Sequence, residues 1–240
     1  MEIKILSENS VFTDDLTAEH GLSIWFKYNE EEYLFDTGQG YILTDNAEKM
    51  EIYFNNLTGM ILSHNHYDHI GGARQVLEVN PDLNVITHPD IIEELGGVEN
   101  ATEVEEVTQI GDGIWLTGKV PTDHISEDDK YYQEIQGENS LFLETYKGLV
   151  VLLGCSHAGV VNILDYIQEV SGKKIDTVIG GMHLVNKDAQ EVEEIVKEFE
   201  RMGIQTLYPL HCTGFEARRI MCEKFSKEVN IVAVGDTINL

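Results

Sequence analysis

The chain has 240 residues, 42% hydrophobic and 25% charged with only 4 prolines, the composition of an ordinary soluble globular protein of one large domain or two small ones. Its formal charge of −27, from 43 acidic against 16 basic residues, opposes functions that rely on neutralising phosphate backbones, nucleases included. No basic region precedes an apolar run at the N-terminus, no stretch approaches the ~20 apolar residues of a membrane span, and three cysteines without a CxxC disfavour a disulfide framework, so a cytoplasmic chain with free thiols is expected.

Strand-like runs open the chain at Ile3–Leu6, Leu22–Tyr28 and Glu32–Phe35, the last running into Asp36-Thr37-Gly38. The apolar run Met60–Ser63 leads into a histidine-rich loop, followed by a helical pattern from His69 to Val79 that ends before Pro81. A short strand at Asn84–Thr87 and a short helix at Pro89–Leu95 come next. The pattern then turns β-rich, with runs at Glu103–Gln109, Ile114–Thr117, Leu141–Tyr146 and Leu149–Leu153. The acidic run Ile125–Lys130 reads as a solvated loop, with a lid as the functional alternative.

Helical periodicity returns at Val160–Ser171, Ala189–Met202 and Phe215–Phe225, alternating with strands at Thr177–Ile179, Thr206–Leu210, Ile231–Val234 and Thr237–Leu240. In the second helix Val192, Ile195, Val196 and Phe199 share one face, and Gly203 ends it. Strands followed by helices in both halves predict two packed sheets with helices outside, in one domain spanning 1–240. Cys222 is expected as a small buried apolar residue.

His64-Asn65-His66-Tyr67-Asp68-His69-Ile70-Gly71-Gly72 carries the densest chemistry. Histidines two apart in extended backbone point to the same side, while Asp68 and His69 follow a turn and can face a second point. One loop can therefore hold two metal ions with nitrogen and oxygen donors. Three further histidines follow strand-like runs: His157 in Gly154-Cys155-Ser156-His157-Ala158-Gly159, His183 in Gly180-Gly181-Met182-His183, and His211 in His211-Cys212-Thr213-Gly214. Polar residues at strand ends, flanked by glycines, form the rim where open sheets keep their sites. His20, His88 and His124 lack such company and read as structural or surface residues.

These elements together resemble the metallo-β-lactamase-fold hydrolase superfamily, in their order over essentially the whole chain. The segments Glu19–Ser23, Gly154–Gly159, Gly181–Leu184 and His211–Gly214 are similar to the subgroup labelled 7,8-dihydropterin-6-yl-methyl-4-(β-D-ribofuranosyl)aminobenzene 5′-phosphate synthase. The resemblance implies an α/β fold, a four-layered αββα sandwich. It implies His64, His66 and His157 as ligands of a first metal and Asp68, His69 and His211 as ligands of a second. Asp36 would support the metal loop through hydrogen bonds. The chain departs from better-known members by offering Cys155 where a bridging aspartate is usual and Glu138-Asn139-Ser140 where an isolated histidine is usual. Either Cys155 ligates as thiolate, or water alone bridges, or one metal is held firmly.

One or two divalent transition-metal ions are expected, zinc first, with manganese or iron as alternatives. The leading expectation is hydrolysis of an ester-like or phosphoester bond in a small anionic metabolite by metal-bound hydroxide. Asp68 would position or deprotonate the nucleophile and His183 would protonate the leaving group. Arg218 and Arg219 are candidates to attract a phosphate, against a reading as solvated helix arginines. The alternative is a metal-dependent transferase acting on a pterin or phosphoribosyl compound. An iron redox enzyme and a non-catalytic sensor rank behind it, and neither nucleic acid nor membrane is expected as a partner.

Overall fold

The computed structural model describes residues 1–121 and 137–240. The acidic run 125–130 and His124 lie outside the described residues. From the N-terminus come β1 (Glu2–Ser7), β2 (Ser23–Tyr28), β3 (Glu31–Phe35), α1 (Leu43–Lys49), β4 (Gly59–Ile61), α2 (Tyr67–Ile70), α3 (Ala73–Val79), β5 (Asn84–Thr87), α4 (Pro89–Glu94) and β6 (Ala101–Glu103). There follow β7 (Thr108–Gly111), β8 (Ile114–Leu116), β9 (Leu141–Glu144), β10 (Leu149–Leu153) and α5 (Val160–Ser171). The last elements are β11 (Ile175–Gly181), α6 (Ala189–Met202), β12 (Thr206–Leu210), α7 (Phe215–Lys224), β13 (Glu228–Val229) and β14 (Thr237–Asn239).

Two compact units divide these elements. The first comprises Met1–Glu105 with Val232–Leu240, the second Glu106–Ile231. Unit 1 holds a seven-stranded sheet in the order β14-β1-β2-β3-β4-β5-β6. Its β14-to-β3 half is antiparallel and its β3-to-β6 half parallel. Unit 2 holds a seven-stranded sheet in the order β13-β12-β11-β10-β9-β8-β7, antiparallel from β7 to β10 and parallel from β10 to β13. Two mixed sheets flanked by helices place the chain in the α/β class, as the alternation of patterns predicts. Among the described residues no helix is long and apolar enough to cross a membrane.

The parallel halves explain the apolar runs. Every residue of β10, Leu-Val-Val-Leu-Leu, is buried, as expected of a strand covered on both faces. In unit 1 the core gathers Leu34, Met60 and Val85 from adjacent strands under Leu43 and Ala47 of α1 and Val76 of α3. In unit 2 Val151, Leu153, Val178 and Leu207 meet Ile163 and Ile167 of α5 and Val192, Val196, Phe199 and Met202 of α6. The start of α6 is fixed by a reciprocal cap: Glu191 N–H donates to Asp188 Oδ1 at 3.0 Å, and Asp188 N–H donates to Glu191 Oε2 at 2.8 Å. Gly203, with φ 79°, ends it in the left-handed conformation.

Several sequence expectations change here. The run Glu103–Gln109 is two strands: β6 ends at Glu103 in one unit and β7 starts at Thr108 in the other, so continuous β-propensity hid a passage between sheets. The helix expected over His69–Val79 breaks into α2 and α3 around Gly71-Gly72. Ile231–Val234 is no strand but an irregular segment with a single bridge from Val11 to Val234, and β13 lies just before it. Helix α1 was missed because only Leu43, Asn46 and Ala47 are buried, too few to give an apolar period. Cys222 is exposed: α7 buries Ala217, Ile220 and Met221, and the next residue turns outward.

Phe199 is 0% exposed in the unit 2 core. Phe199→Ala is expected to destabilise that unit by about 3–5 kcal/mol, and Asp188→Ala by only about 1 kcal/mol. Urea unfolding followed by circular dichroism checks both values and their order.

Candidate metal centre

Every candidate ligand follows the C-terminal end of a strand in a parallel half-sheet, which is where loops of open α/β sheets collect ligands. In unit 1, β3 delivers Asp36 and β4 delivers the loop Ser63–His69. Strand β4 stops at Ile61, short of Ser63, so the serine side chain is available to the loop. Asp36 is completely buried and has φ 58°, an uncommon conformation for a residue other than glycine. It turns its carboxylate under the histidine loop. Ser63 N–H donates to Asp36 Oδ1 at 2.7 Å, Ser63 Oγ–H donates to Oδ2 at 2.7 Å, and His69 Nδ1 lies 2.7 Å from the same Oδ2.

This network decides the imidazole tautomers. A carboxylate only accepts, so His69 carries its proton on Nδ1 and leaves Nε2 as the nitrogen able to meet a metal. Ser63 Oγ spends its proton on Asp36 and stands 2.8 Å from His64 Nδ1, so it accepts from that nitrogen. On His64 too, Nε2 is the nitrogen left to meet a metal. The His64 ring centroid lies 4.7 Å from that of His66 and 4.2 Å from that of His69, so three imidazoles converge. Oriented imidazoles with carboxylate and hydroxyl support are the donor set a divalent transition metal requires, and the unit 1 residues fit such an ion.

Backbone contacts lock the two loops together. Thr37 donates its N–H and its hydroxyl to the His69 carbonyl at 2.7 and 2.8 Å, and Gly72 N–H donates to Thr37 Oγ1 at 3.1 Å. A Cβ on Gly72 would sit 2.5 Å from the Thr37 carbonyl oxygen, so the close approach requires glycine there. Asp68 lies in the first turn of α2 and is buried, with Oδ2 3.2 Å from His20 Nε2. His20 is therefore more than a surface residue. Its signal was its place in Glu19–Ser23, one of the segments similar to the synthase subgroup. His88 caps α4, accepting from Asp90 N–H, in the structural role expected of it.

Unit 2 builds its cluster the same way. Strand β10 delivers Cys155, Ser156 and His157; β11 ends just before His183; β12 delivers His211 and Cys212 in a 3₁₀ turn. Ser156, His183 and His211 have φ of 64°, 51° and 46°, three uncommon backbones at adjacent strand ends, the kind of strain that clusters at functional sites. The His157 and His183 rings lie 4.4 Å apart. Cys155, His157 and His183 each offer a donor atom within 4.8 Å of the other two. His183 N–H donates to Cys212 Sγ at 3.3 Å.

Glu138 organises this loop. Its Oε1 accepts from Cys155 N–H at 3.3 Å and Ser156 N–H at 2.7 Å, and its Oε2 accepts from Ala158 N–H at 3.3 Å. Burial pushes its carboxyl up to about 7, against the pull of those three amides. The residue that stands where a histidine ligand is usual thus supports the backbone on both sides of His157. Burial also works against a Cys212 thiolate. Hydrogen bonds with Cys155 and His183 and the nearby His211 outweigh it, holding that thiol well below its ordinary value. Sequence reasoning missed Ser63 and Cys212, whose chemistry appears only when strand ends are placed side by side. Arg219 is bound to Glu216 at 3.0 Å and Glu223 at 2.7 Å on the surface of α7, the solvated reading rather than the phosphate one.

Asp36→Asn tests the tautomer argument. The amide nitrogen replaces one acceptor: in place of Oδ1 it faces Ser63 N–H, and in place of Oδ2 it faces both the Ser63 hydroxyl and His69 Nδ1, where a proton driven to His69 Nε2 would block metal binding. Metal affinity is expected to fall about 10–100-fold, read by competition against a chromogenic chelator.

The sequence pattern of the Metallo-beta-lactamase superfamily matches residues 16–214. From Methanocaldococcus jannaschii, the 7,8-dihydropterin-6-methyl-4-(beta-D-ribofuranosyl)-aminobenzene-5′-phosphate synthase is 27% identical over 92% of this chain and 90% of its own length. Uncharacterized protein MJ0448 of the same organism is 32% identical over 90% of this chain and 91% of its own. Among solved structures, Tm1679, titled a metal-dependent hydrolase of the beta-lactamase superfamily, is 29% identical with a TM-score of 0.84, covering 100% of this chain and 99% of its own. The hydrolysis expected from the sequence is corrected by these findings. The hydrolase title names no substrate, whereas the relative named for a specific product is a synthase of pterin type, which favours group transfer. The expectation had extended the commonest chemistry of a fold to one member of it, and fold does not fix reaction. The family match over 16–214, on a fold with metal-competent strand ends, places this chain in the metallo-β-lactamase superfamily, an enzyme superfamily.

Proposed function

We propose that the chain is a metal-dependent transferase acting on a pterin or phosphoribosyl compound. The observation that carries this reading is the 27% identity, across 92% of the chain, to a synthase whose name joins a dihydropterin to an aminobenzene ribofuranosyl phosphate. We take 1–240 as one functional domain whose ligands for one or two divalent ions, zinc first, are His64, His66, Asp68, His69, His157 and His211.

When bound, the metal supplies Lewis acidity, polarising an oxygen or nitrogen of the reacting group. The remaining work falls to the protein. Asp36 and Ser63 hold the proton of His69 and His64 on Nδ1, so that both rings stay oriented. Glu138 holds the His157 loop through three amides. His183 is half-buried beside His157, and its imidazole can pass a proton to or from substrate. Asp68, paired with His20, joins metal binding to orientation of the incoming group. The −27 charge repels an anionic substrate except where cations invert the local field, so such a substrate should depend on the bound metal for affinity.

The test supplies zinc-loaded protein with a dihydropterin that carries a leaving group on its 6-methyl carbon and an aminobenzene ribofuranosyl 5′-phosphate. The amine nitrogen displaces that group and loses its proton as the carbon–nitrogen bond forms, and mass spectrometry reads the joined product and the released leaving group. Joined product should form with metal and vanish on chelation. His157→Ala should lower metal content and product formation together. Unchanged metal content and turnover in that variant, or failure of the wild-type protein to join the two partners, contradicts the reading.

A further inference from the structure

Unit 2 carries a donor set built on sulfur. Cys155 follows β10, and His211 and Cys212 follow β12; one donor atom from each lies within 4.8 Å of the other two. The register explains the convergence, because β10 and β12 both pair with β11, so the loops after them flank its C-terminal end. Gly181, the last residue of β11, leaves the room. A Cβ there would meet the Gly154 carbonyl at 2.2 Å and Cys212 Sγ at 2.7 Å, so any larger residue would displace the sulfur.

Two hydrogen bonds place that sulfur. Cys212 Sγ accepts from His183 N–H at 3.3 Å and donates to the Cys155 carbonyl at 3.4 Å. Around a tetrahedral zinc, with sulfur at about 2.3 Å and nitrogen at about 2.0–2.1 Å, donor atoms stand roughly 3.5–3.8 Å apart. Donors within 4.8 Å of one another are close enough to share one ion. Thiolate donors select zinc, cadmium or cobalt over the harder manganese and magnesium.

We propose that Cys155, Cys212 and His211 form a thiolate-rich subsite that binds zinc or another soft divalent cation through two sulfurs and one imidazole nitrogen. It shares His211 with the ligand set above, so that imidazole serves an ion in one set or in the other, and its metal binding does not depend on the reaction assigned there. Both sulfurs bind as thiolates, and any thiol proton still present leaves to solvent as the two sulfur–metal bonds form.

The test loads the full chain with cobalt(II) and reads the near-ultraviolet sulfur-to-cobalt charge-transfer bands. The wild-type protein should show them, Cys155→Ser and Cys212→Ser should each weaken them, and the double variant should lose them. A second measurement needs no variant: iodoacetamide labelling of the wild-type chain with and without zinc, quantified by peptide mass spectrometry. Zinc should suppress labelling of Cys212 while leaving that of the exposed Cys222 unchanged. A cobalt-loaded wild type without the bands, bands that persist in the double variant, or equal labelling of Cys212 with and without zinc overturns the proposal. None of these results bears on joined-product formation, so this inference and the transferase reading fail separately.

Discussion

Asp36 is a fully buried carboxylate whose two oxygens take three contacts from a segment 27 to 33 residues further along the chain. The donor geometry of the histidine loop follows from it. A buried charge persists only when its lone pairs are satisfied, and here Ser63 and His69 satisfy them. Because the carboxylate accepts and never donates, the protons of His69 and, through Ser63, of His64 are confined to Nδ1, and on both rings Nε2 is the nitrogen left to meet a metal. The short β4, the positive φ of Asp36 and the glycines of the histidine loop allow the carboxylate to lie beneath that loop.

The sequence made the donors legible and left their supports hidden. His64, His66, Asp68 and His69 stand within six residues, and His157, His183 and His211 each follow an apolar run that is indeed a strand. Ser63, Glu138 and Cys212 act through distance in space: Glu138 reaches the Cys155–Ala158 loop across 17 to 20 residues, and no local pattern marks such a carboxylate. The α/β class was readable because runs such as β10 and the amphipathic α6 obey their periods closely. The passage from β6 to β7 was not, since strand propensity is continuous where the backbone changes sheets. Helix α1 escaped for the opposite reason, burying too narrow a face to leave a period.

Function was less legible than fold. The same strand-end histidines serve many reactions in this superfamily, and the ligands alone do not choose between water and another nucleophile as acceptor. Similarity to a named synthase moves the reading toward group transfer. The two clusters differ in chemistry. Unit 1 presents imidazoles oriented by a carboxylate, while unit 2 mixes imidazoles with two thiols beside a buried glutamate.

Metal binding by these clusters is the central claim, and elemental analysis of the purified, unsupplemented chain measures it most directly. One or two equivalents of a divalent transition metal per chain, removable by chelator and restored by zinc, is the predicted result. A folded chain that carries no stoichiometric metal and takes up none when zinc is supplied would contradict it.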